Sequence, residues 1–482
     1  MAFNEKLNPN GEKGKRLTIL SIDGGGVRGI IPARILEKLQ VYLERVEDHL
    51  GKTGEHHLCD YFDMIAGTSS GGLITAMITT RTSERSRVPI FKATQVVEFF
   101  KQDAVKIFPE TFKDDGPIGN VLEAVASVAD PIYNPDNLNA LLEEKFGEAR
   151  LSEALTSVII PAFDTENEVP VFFSSRKCDD SAKPLYDVKV KDACRATTAV
   201  PILFPAAEVI GFSGDGPKKF NVIDGGIAVN DPTLVAVTQA IAEKQQAIAE
   251  KQQAIGVDRR EIANQQARLE EELRKIAKGR RAADLRDFRN VLVLSLGTGQ
   301  HPMRFIAKRH WSSVEWLINP TGFPLLSSFL SASGDMVEYY TSMIFDAHQS
   351  GHHYLRIQTD RLSRSEFWEI DDATQGNLDT LCGTADALLT HPASKRNFAT
   401  GKLEDIPDDL LDGWLRNGAD GHSNSPQATL VREKAATLEN YQSHQLPKQY
   451  TTNQRRLMGV FVFCAFSFLI RCRLRVVRFG KL

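Results

Sequence analysis

Gly67-Thr68-Ser69-Ser70-Gly71 fits GxSxG, a pattern that carries a serine nucleophile on a sharp turn between a strand and a helix. Its setting matters more than the match. Residues 61–66 (YFDMIA) read as a strand and residues 73–80 as the start of a helix, so Ser69 falls where a nucleophile elbow belongs. Gly67 and Gly71 would let strand and helix approach around the strained serine, and the helix N-terminus would stabilise developing negative charge. Taken alone, the same five residues equally describe an ordinary turn in which Ser69 or Ser70 caps the helix.

Two further clusters offer complementary chemistry. In Asp23-Gly24-Gly25-Gly26-Val27-Arg28-Gly29, three consecutive glycines open a helix and leave backbone N–H groups able to point at an anion, as an oxyanion hole requires. Gly24, Gly26 and Gly29 also satisfy GxGxxG, the phosphate loop of a dinucleotide fold, but no acidic residue closes a second strand about 20 residues on. Arg28 could hold a phosphate headgroup or pair with Asp23 or another carboxylate. Asp224-Gly225-Gly226 follows the apolar run FNVI, which places a carboxylate at a strand end as a candidate base; the alternative is a turn in which Asp224 caps its own backbone.

The elements that must position these groups alternate strand with helix. Residues 17–22 (LTILSI) form a continuous apolar run suited to a strand buried on both faces, and Pro32, Ile35, Leu36 and Leu39 mark a helix reaching about His49. Later strands are expected at 157–163, 169–174, 220–223, 291–296 and 354–358. That order argues for an α/β fold with a mostly parallel sheet covered on both sides.

Taken in chain order, DGGGVRG, GTSSG and DGG resemble the patatin-like phospholipase family of plant-patatin-type lipid acyl hydrolases. The flanking segments LTILSIDGGGVRGIIPARILEKL, YFDMIAGTSSGGLITAMI, ATTAVPILFPA, FNVIDGGIAVNDP and VLVLSLGTG look like the family's segments in its order, from about Arg16 to Gly299 and more weakly to Glu404. The resemblance implies a three-layer α/β/α fold and a lipid acyl hydrolase acting through an acyl-enzyme. It makes Ser69 the nucleophile and Asp224 its partner in a Ser–Asp dyad, with backbone groups of Gly24, Gly25, Gly26, Arg28 and Gly29 as the oxyanion hole, and needs no histidine, metal or cofactor. Phospholipid or galactolipid esters would be the substrates. Residues 201–205 (PILFP) could line an acyl-chain channel or simply pack in the core. The competing readings are a Ser–Asp–His α/β-hydrolase drawing on His301 or His348, for which too few strands precede the elbow, and a storage or binding protein.

Composition sets the outer bounds. With 42% hydrophobic and 25% charged residues the chain is globular, which excludes collagen-like and wholly disordered classes, and Lys+Arg 58 against Asp+Glu 62 gives no basic field for nucleic acid. Six scattered cysteines suggest no disulfide framework, and the polar N-terminus lacks the apolar run of a signal peptide, so a cytoplasmic, peripherally membrane-associated protein is expected. The expected organisation is an extension (1–15), a catalytic domain (16–404) carrying a helical insertion (240–289), a polar linker (405–456) and an apolar, basic tail (457–482). Isoleucine or leucine recurs every seven residues from Ile241 to Ile276, which suits a helix lying on its own domain or a partner-binding arm across 240–280. Residues 457–470 (LMGVFVFCAFSFLI) form about 21 Å of helix, too short to span a bilayer, and with the arginines that follow suit an interfacial anchor within 457–481; a buried terminal segment or a misread coding end are the alternatives. Replacing residues 246–280 by a short flexible loop is expected to preserve basal ester hydrolysis, checked by comparing soluble-ester turnover of shortened and full chains.

Overall fold

The computed structural model describes residues 17–49, 54–109, 131–175, 188–213, 216–256, 291–300, 323–360, 370–389, 394–397 and 402–405, with Phe288, Ser312, Trp316 and Leu362 singly. The N-terminal extension, the linker, the apolar tail, His301, and the heptad positions Ile262, Leu269 and Ile276 lie outside them.

In chain order the elements are β1 (Leu17–Ile22), α1 (Ile30–His49), β2 (Met64–Gly67), α2 (Ser70–Thr79), α3 (Ala93–Ile107), α4 (Asp136–Phe146), β3 (Ser157–Asp164), β4 (Val169–Ser174) and α5 (Val190–Thr197). There follow β5 (Ala207–Ser213), β6 (Gly216–Asp224), α6 (Thr233–Gly256), β7 (Val291–Leu296), α7 (Pro324–Ala347), β8 (Tyr354–Ile357), α8 (Gln375–Leu388) and the small hairpin β9 (Ser394–Asn397) and β10 (Lys402–Asp405). Strands β1 to β8 form one sheet in the order β5-β6-β3-β2-β1-β7-β8, with β4 also paired to β3. The pairings β1–β2, β1–β7, β2–β3 and β7–β8 are parallel. This is the expected α/β fold with a mostly parallel central sheet.

Period-two alternation along the inner strands feeds both faces. Leu20, Ile22 and Ile65 join the core that packs on α1, α2 and α3. Leu17, Ile19, Met64 and Ala66 point the other way, where Ala236, Val237 and Ala240 of α6 and Phe345 of α7 cover them. Helices on both faces complete three layers, and the helix carrying the first heptad isoleucine is thus anchored on the sheet by its first turns.

Some boundaries differ from the sequence reading. Residues 61–63 are not strand, because Asp63 accepts hydrogen bonds from the Thr18 N–H (3.0 Å) and hydroxyl (2.9 Å), a side-chain anchor in place of ladder pairing. Helix α2 begins at Ser70, directly after the elbow. The 220–223 segment is part of a longer hairpin, whose first strand β5 was not anticipated because its outward residues include the exposed Ile210 and Phe212 and blur the alternation.

A buried ionic cluster ties four elements together. Arg356 of β8 donates to both oxygens of Asp23 (3.0 and 2.6 Å) and to Ser295 Oγ (2.8 Å), and approaches Asp231 (3.2 Å) and Glu338 of α7 (3.6 Å). Burial pushes the Asp23 carboxyl up to about 7 against the pull of Arg356. Removing the Arg356 guanidinium would leave carboxylates buried without their closest compensation. Arg356→Met is therefore expected to cost about 3–5 kcal/mol, read as a lower urea midpoint, with partial recovery when Asp23→Asn is added.

Candidate active site

The site forms where the C-terminal ends of two strands meet head to head. Strand β2 pairs with Ser157–Ile159 of β3, and β6 pairs antiparallel with Ala162–Asp164 of the same strand. Because β4 occupies the opposite edge at both places, β2 and β6 share one edge of β3 and approach from opposite directions. Gly67 ends one and Asp224 the other, so the turn after Gly67 and the Asp224 carboxyl converge. The sequence placed Asp224 at a strand end but gave no sign that the strand runs antiparallel.

Ser69 sits at φ 53°, ψ −124°, a left-handed conformation that costs a non-glycine residue about 1–3 kcal/mol. Its surroundings hold it there. The Ser69 N–H donates to Thr197 Oγ1 (2.9 Å), whose hydroxyl donates to the Pro161 carbonyl (2.6 Å) in the gap between β2 and β6. The Thr68 hydroxyl donates to the Val229 carbonyl (2.7 Å). A Cβ on Gly67 would stand 2.0 Å from the Gly71 carbonyl oxygen, and one on Gly71 2.3 Å from that of Ile22, so both glycines are required by close approach.

Asp224 is buried, and its Oδ1 accepts the Gly226 N–H at 2.7 Å. The Ser69 hydroxyl faces the carboxyl closely enough to favour its charged form, yet Oδ2 has no partner of full hydrogen-bond geometry. The contact is thus poised rather than closed, as is common before substrate binds. Burial pushes the carboxyl up to about 7, opposed by the Ser69 hydroxyl and the Gly226 amide. Among the described residues, the groups that act on it are the Ser69 hydroxyl and the Gly226 amide, and no histidine is one of them. His348 is exposed and rests against Phe288, with ring centroids 5.0 Å apart. Gly225 and Gly226 are packing positions, since added Cβ atoms would meet the Pro161 carbonyl oxygen (2.4 Å) and Leu330 Cδ2 (2.6 Å).

The glycine loop stands beside the elbow because Ile22 pairs in register with Gly67. Of its five residues considered for an oxyanion hole, the Gly24 N–H is already bound to the Asn230 carbonyl (3.1 Å) and the Arg28 N–H to the Gly25 carbonyl (3.1 Å). Gly29 is a contact glycine, where a Cβ would lie 2.7 Å from Ser70 Oγ. The amides of Gly25 and Gly26 have no acceptor among the described residues. Each belongs to a peptide fixed through its other end: Thr298 Oγ1 donates to the Gly24 carbonyl (2.8 Å), and the Arg28 N–H, with a longer contact from its Nε (3.4 Å), holds the Gly25 carbonyl. Since C=O and N–H of a trans peptide point oppositely, these bonds aim the two N–H groups the other way. Arg28 Nη1 donates to the Gly299 carbonyl (3.1 Å), and the carboxylate of Asp23 is held bidentately by Arg356. Burial lowers Arg28 to about 10, opposed by Asp23.

An apolar pocket, about 550 Å³ with the open space at its mouth included, opens at Ser69. Its walls are Gly26, Val27, Ser70, Leu73, Phe99, Phe100, Ala104, Ile107, Phe108, Leu138, Thr198, Val200, Leu203, Phe204 and Ile370. Within the PILFP segment only Leu203 and Phe204 line it. Behind the glycine loop a polar cavity of about 450 Å³ is lined by Arg28, Asn230, Thr298, Gln300 and Gln358 among others. Thr197, Asn230 and Thr298 are positions around the site that motif reading passed over. All three lie inside segments quoted for the family resemblance, but the Thr197 and Thr298 hydroxyls and the Asn230 backbone carbonyl act through bonds to residues far away in sequence.

Residues 20–237 match the family model described as patatin-like phospholipase. Patatin-like protein 2 of Arabidopsis thaliana is 36% identical over 80% of this chain and 86% of its own length. The chain belongs to the patatin-like phospholipase family. Patatin-like protein 2 of Oryza sativa subsp. indica is 34% identical over 82% of the chain and 89% of its own length, and Patatin-2-Kuras 4 of Solanum tuberosum 33% over 79% and 88%. The segment matched by the patatin-like model contains the glycine loop, the elbow and Asp224 together.

Gly26 offers the sharpest probe of this geometry. It lies at φ +58°, and a Cβ there would stand 2.0 Å from the Ile370 carbonyl oxygen, which also accepts the Val27 N–H (2.8 Å). Gly26→Ala is expected to lower turnover of a soluble ester by at least about tenfold as the loop shifts, with a reduced thermal midpoint measured alongside.

Proposed function

We propose that the protein hydrolyses fatty acyl esters of phospholipids or galactolipids through a Ser69–Asp224 dyad and an acyl-enzyme. The carrying observation is the meeting of a strained Ser69 with a buried Asp224 carboxyl at the mouth of an apolar cavity. Family membership supports the coarser reading, a lipid acyl hydrolase. Ser69 Oγ attacks the ester carbonyl while Asp224 accepts its proton. The N–H groups of Gly25 and Gly26 receive the oxyanion, each such donor worth about 2.7–4 kcal/mol. The tetrahedral intermediate expels the alcohol, which takes the proton from Asp224, and leaves Ser69 acylated. Water then attacks the acyl carbon, gives its proton to Asp224 and releases the fatty acid as that proton returns to Ser69. The acyl chain occupies the cavity lined by Phe99, Phe100, Leu138 and Phe204, and hydroxyls of the glycerol or headgroup find Asn230, Thr298 and Gln300 on the polar side.

A carboxyl near 7 is a far better match to a serine proton at neutral pH than an exposed aspartate. Its base form is lost as pH falls, so kcat/KM for a short-chain nitrophenyl ester is expected to drop about tenfold per unit below about pH 7 and to level off above it. Ser69→Ala and Asp224→Asn should each lower that rate by at least about 10³-fold with the fold retained, whereas Ser70→Ala should not. A histidine among His301, His310 and His348 whose removal equals the loss of Ser69 would replace the dyad by a triad, as would a pH profile unrelated to Asp224.

A further inference from the structure

Helix α7 has an unusual distribution of side chains. Its buried positions include Glu338, Thr341 and Ser342 beside Leu326 and Phe345, whereas every exposed position from Leu325 to Met343 is apolar or aromatic: Leu325, Phe329, Ala332, Met336, Tyr339, Tyr340 and Met343. Phe329, Met336 and Met343 are each close to half exposed (50%, 46% and 49%). The intervals of three and four residues place them along one stripe of about 27 Å.

Several polar groups on the inward side have partners in the protein. Ser333 Oγ accepts the Asn230 N–H (3.0 Å), Asp335 accepts from the Gln300 amide (2.9 Å), Glu338 approaches Arg356, and Leu330 packs over Gly226 beside Asp224. One helix therefore lines the polar cavity behind the glycine loop with Ser327, Leu330 and Ser331 on one side and presents a continuous apolar surface on the other. The stripe carries no cation, and the chain is net −4. An anionic surface would gain nothing from it, while tyrosine, phenylalanine and methionine suit the boundary of an electrically neutral bilayer, where phenol hydroxyls stay at headgroup level. Charge and composition thus complement a zwitterionic lipid surface.

We propose that this outer face of α7 is the surface by which the protein docks on zwitterionic lipid, with the polar cavity and the turn after Asp224 lying directly behind the helix. The inference rests on the lipid-ester reading given above and locates its membrane contact. It differs from an anchor formed by the basic tail in requiring neither anionic lipid nor low salt.

The test uses the full chain and phosphatidylcholine vesicles. Binding by flotation is expected, unchanged when salt rises from about 0.1 to about 0.5 M, because screening acts on charge and not on apolar contact. Phe329→Ser combined with Met343→Ser should weaken vesicle binding and hydrolysis of vesicle lipid by about tenfold or more, with soluble-ester turnover and thermal midpoint unchanged. A chain ending at Arg456 should bind as the full chain does. Equal binding by the double variant would overturn the proposal. So would binding that needs anionic lipid or residues 457–482, or a concentration-dependent dimer in sedimentation that the double variant abolishes. Loss of soluble-ester turnover in the unsubstituted protein would instead count against the hydrolase reading, since flotation reports docking without it.

Discussion

The geometry of the site depends on the shared edge of β3. A strand edge can be paired by only one neighbour at any point, yet β2 and β6 both use this edge, one along Ser157–Ile159 and the other along Ala162–Asp164. They must therefore stop where they meet. Pro161 stands in the interval; it lacks an N–H to leave unpaired, and its carbonyl accepts the Thr197 hydroxyl that in turn receives the Ser69 N–H. Serine and carboxylate are brought together by strand ends that cannot pass each other.

Electrostatics then distinguish two buried aspartates at neighbouring strand ends. Asp23 and Asp224 are both raised to about 7 by burial, but Asp23 is held bidentately by Arg356 whereas Asp224 faces only a hydroxyl and one backbone amide. A carboxyl locked by a guanidinium cannot exchange a proton easily and serves to pin β1 to β8. One with an unfilled oxygen can. The glycine loop between them is held through its carbonyls, by Thr298 and Arg28, which leaves the Gly25 and Gly26 amides aimed the other way.

Helix α7 connects that interior to the outside. Ser333, Asp335 and Glu338 are turned inward to Asn230, Gln300 and the Arg356 cluster, beside the buried Leu326 and Phe345, while Leu325, Phe329, Met336 and Met343 face outward. The same substitution pattern on an ordinary surface helix would be costly. Here the inward demands of the site and the outward apolar stripe share one 24-residue element.

Much was legible in the sequence because local pattern and local chemistry coincide there. Continuous apolar runs fixed β1, β4 and β7, and glycine placement around Ser69 announced the elbow, since only glycine permits carbonyls to approach within the space a Cβ would fill. The motif order carried the family. What tertiary structure alone decided is which residues meet across long separations: Thr197 with Ser69, Thr298 with the Gly24 carbonyl, Arg356 rather than Arg28 with Asp23. Hydrogen bonds and ion pairs of this kind leave no periodicity in the chain. The antiparallel arrival of β6 was equally invisible, because the direction in which a strand joins a sheet depends on the path of its connections and not on the alternation within the strand itself.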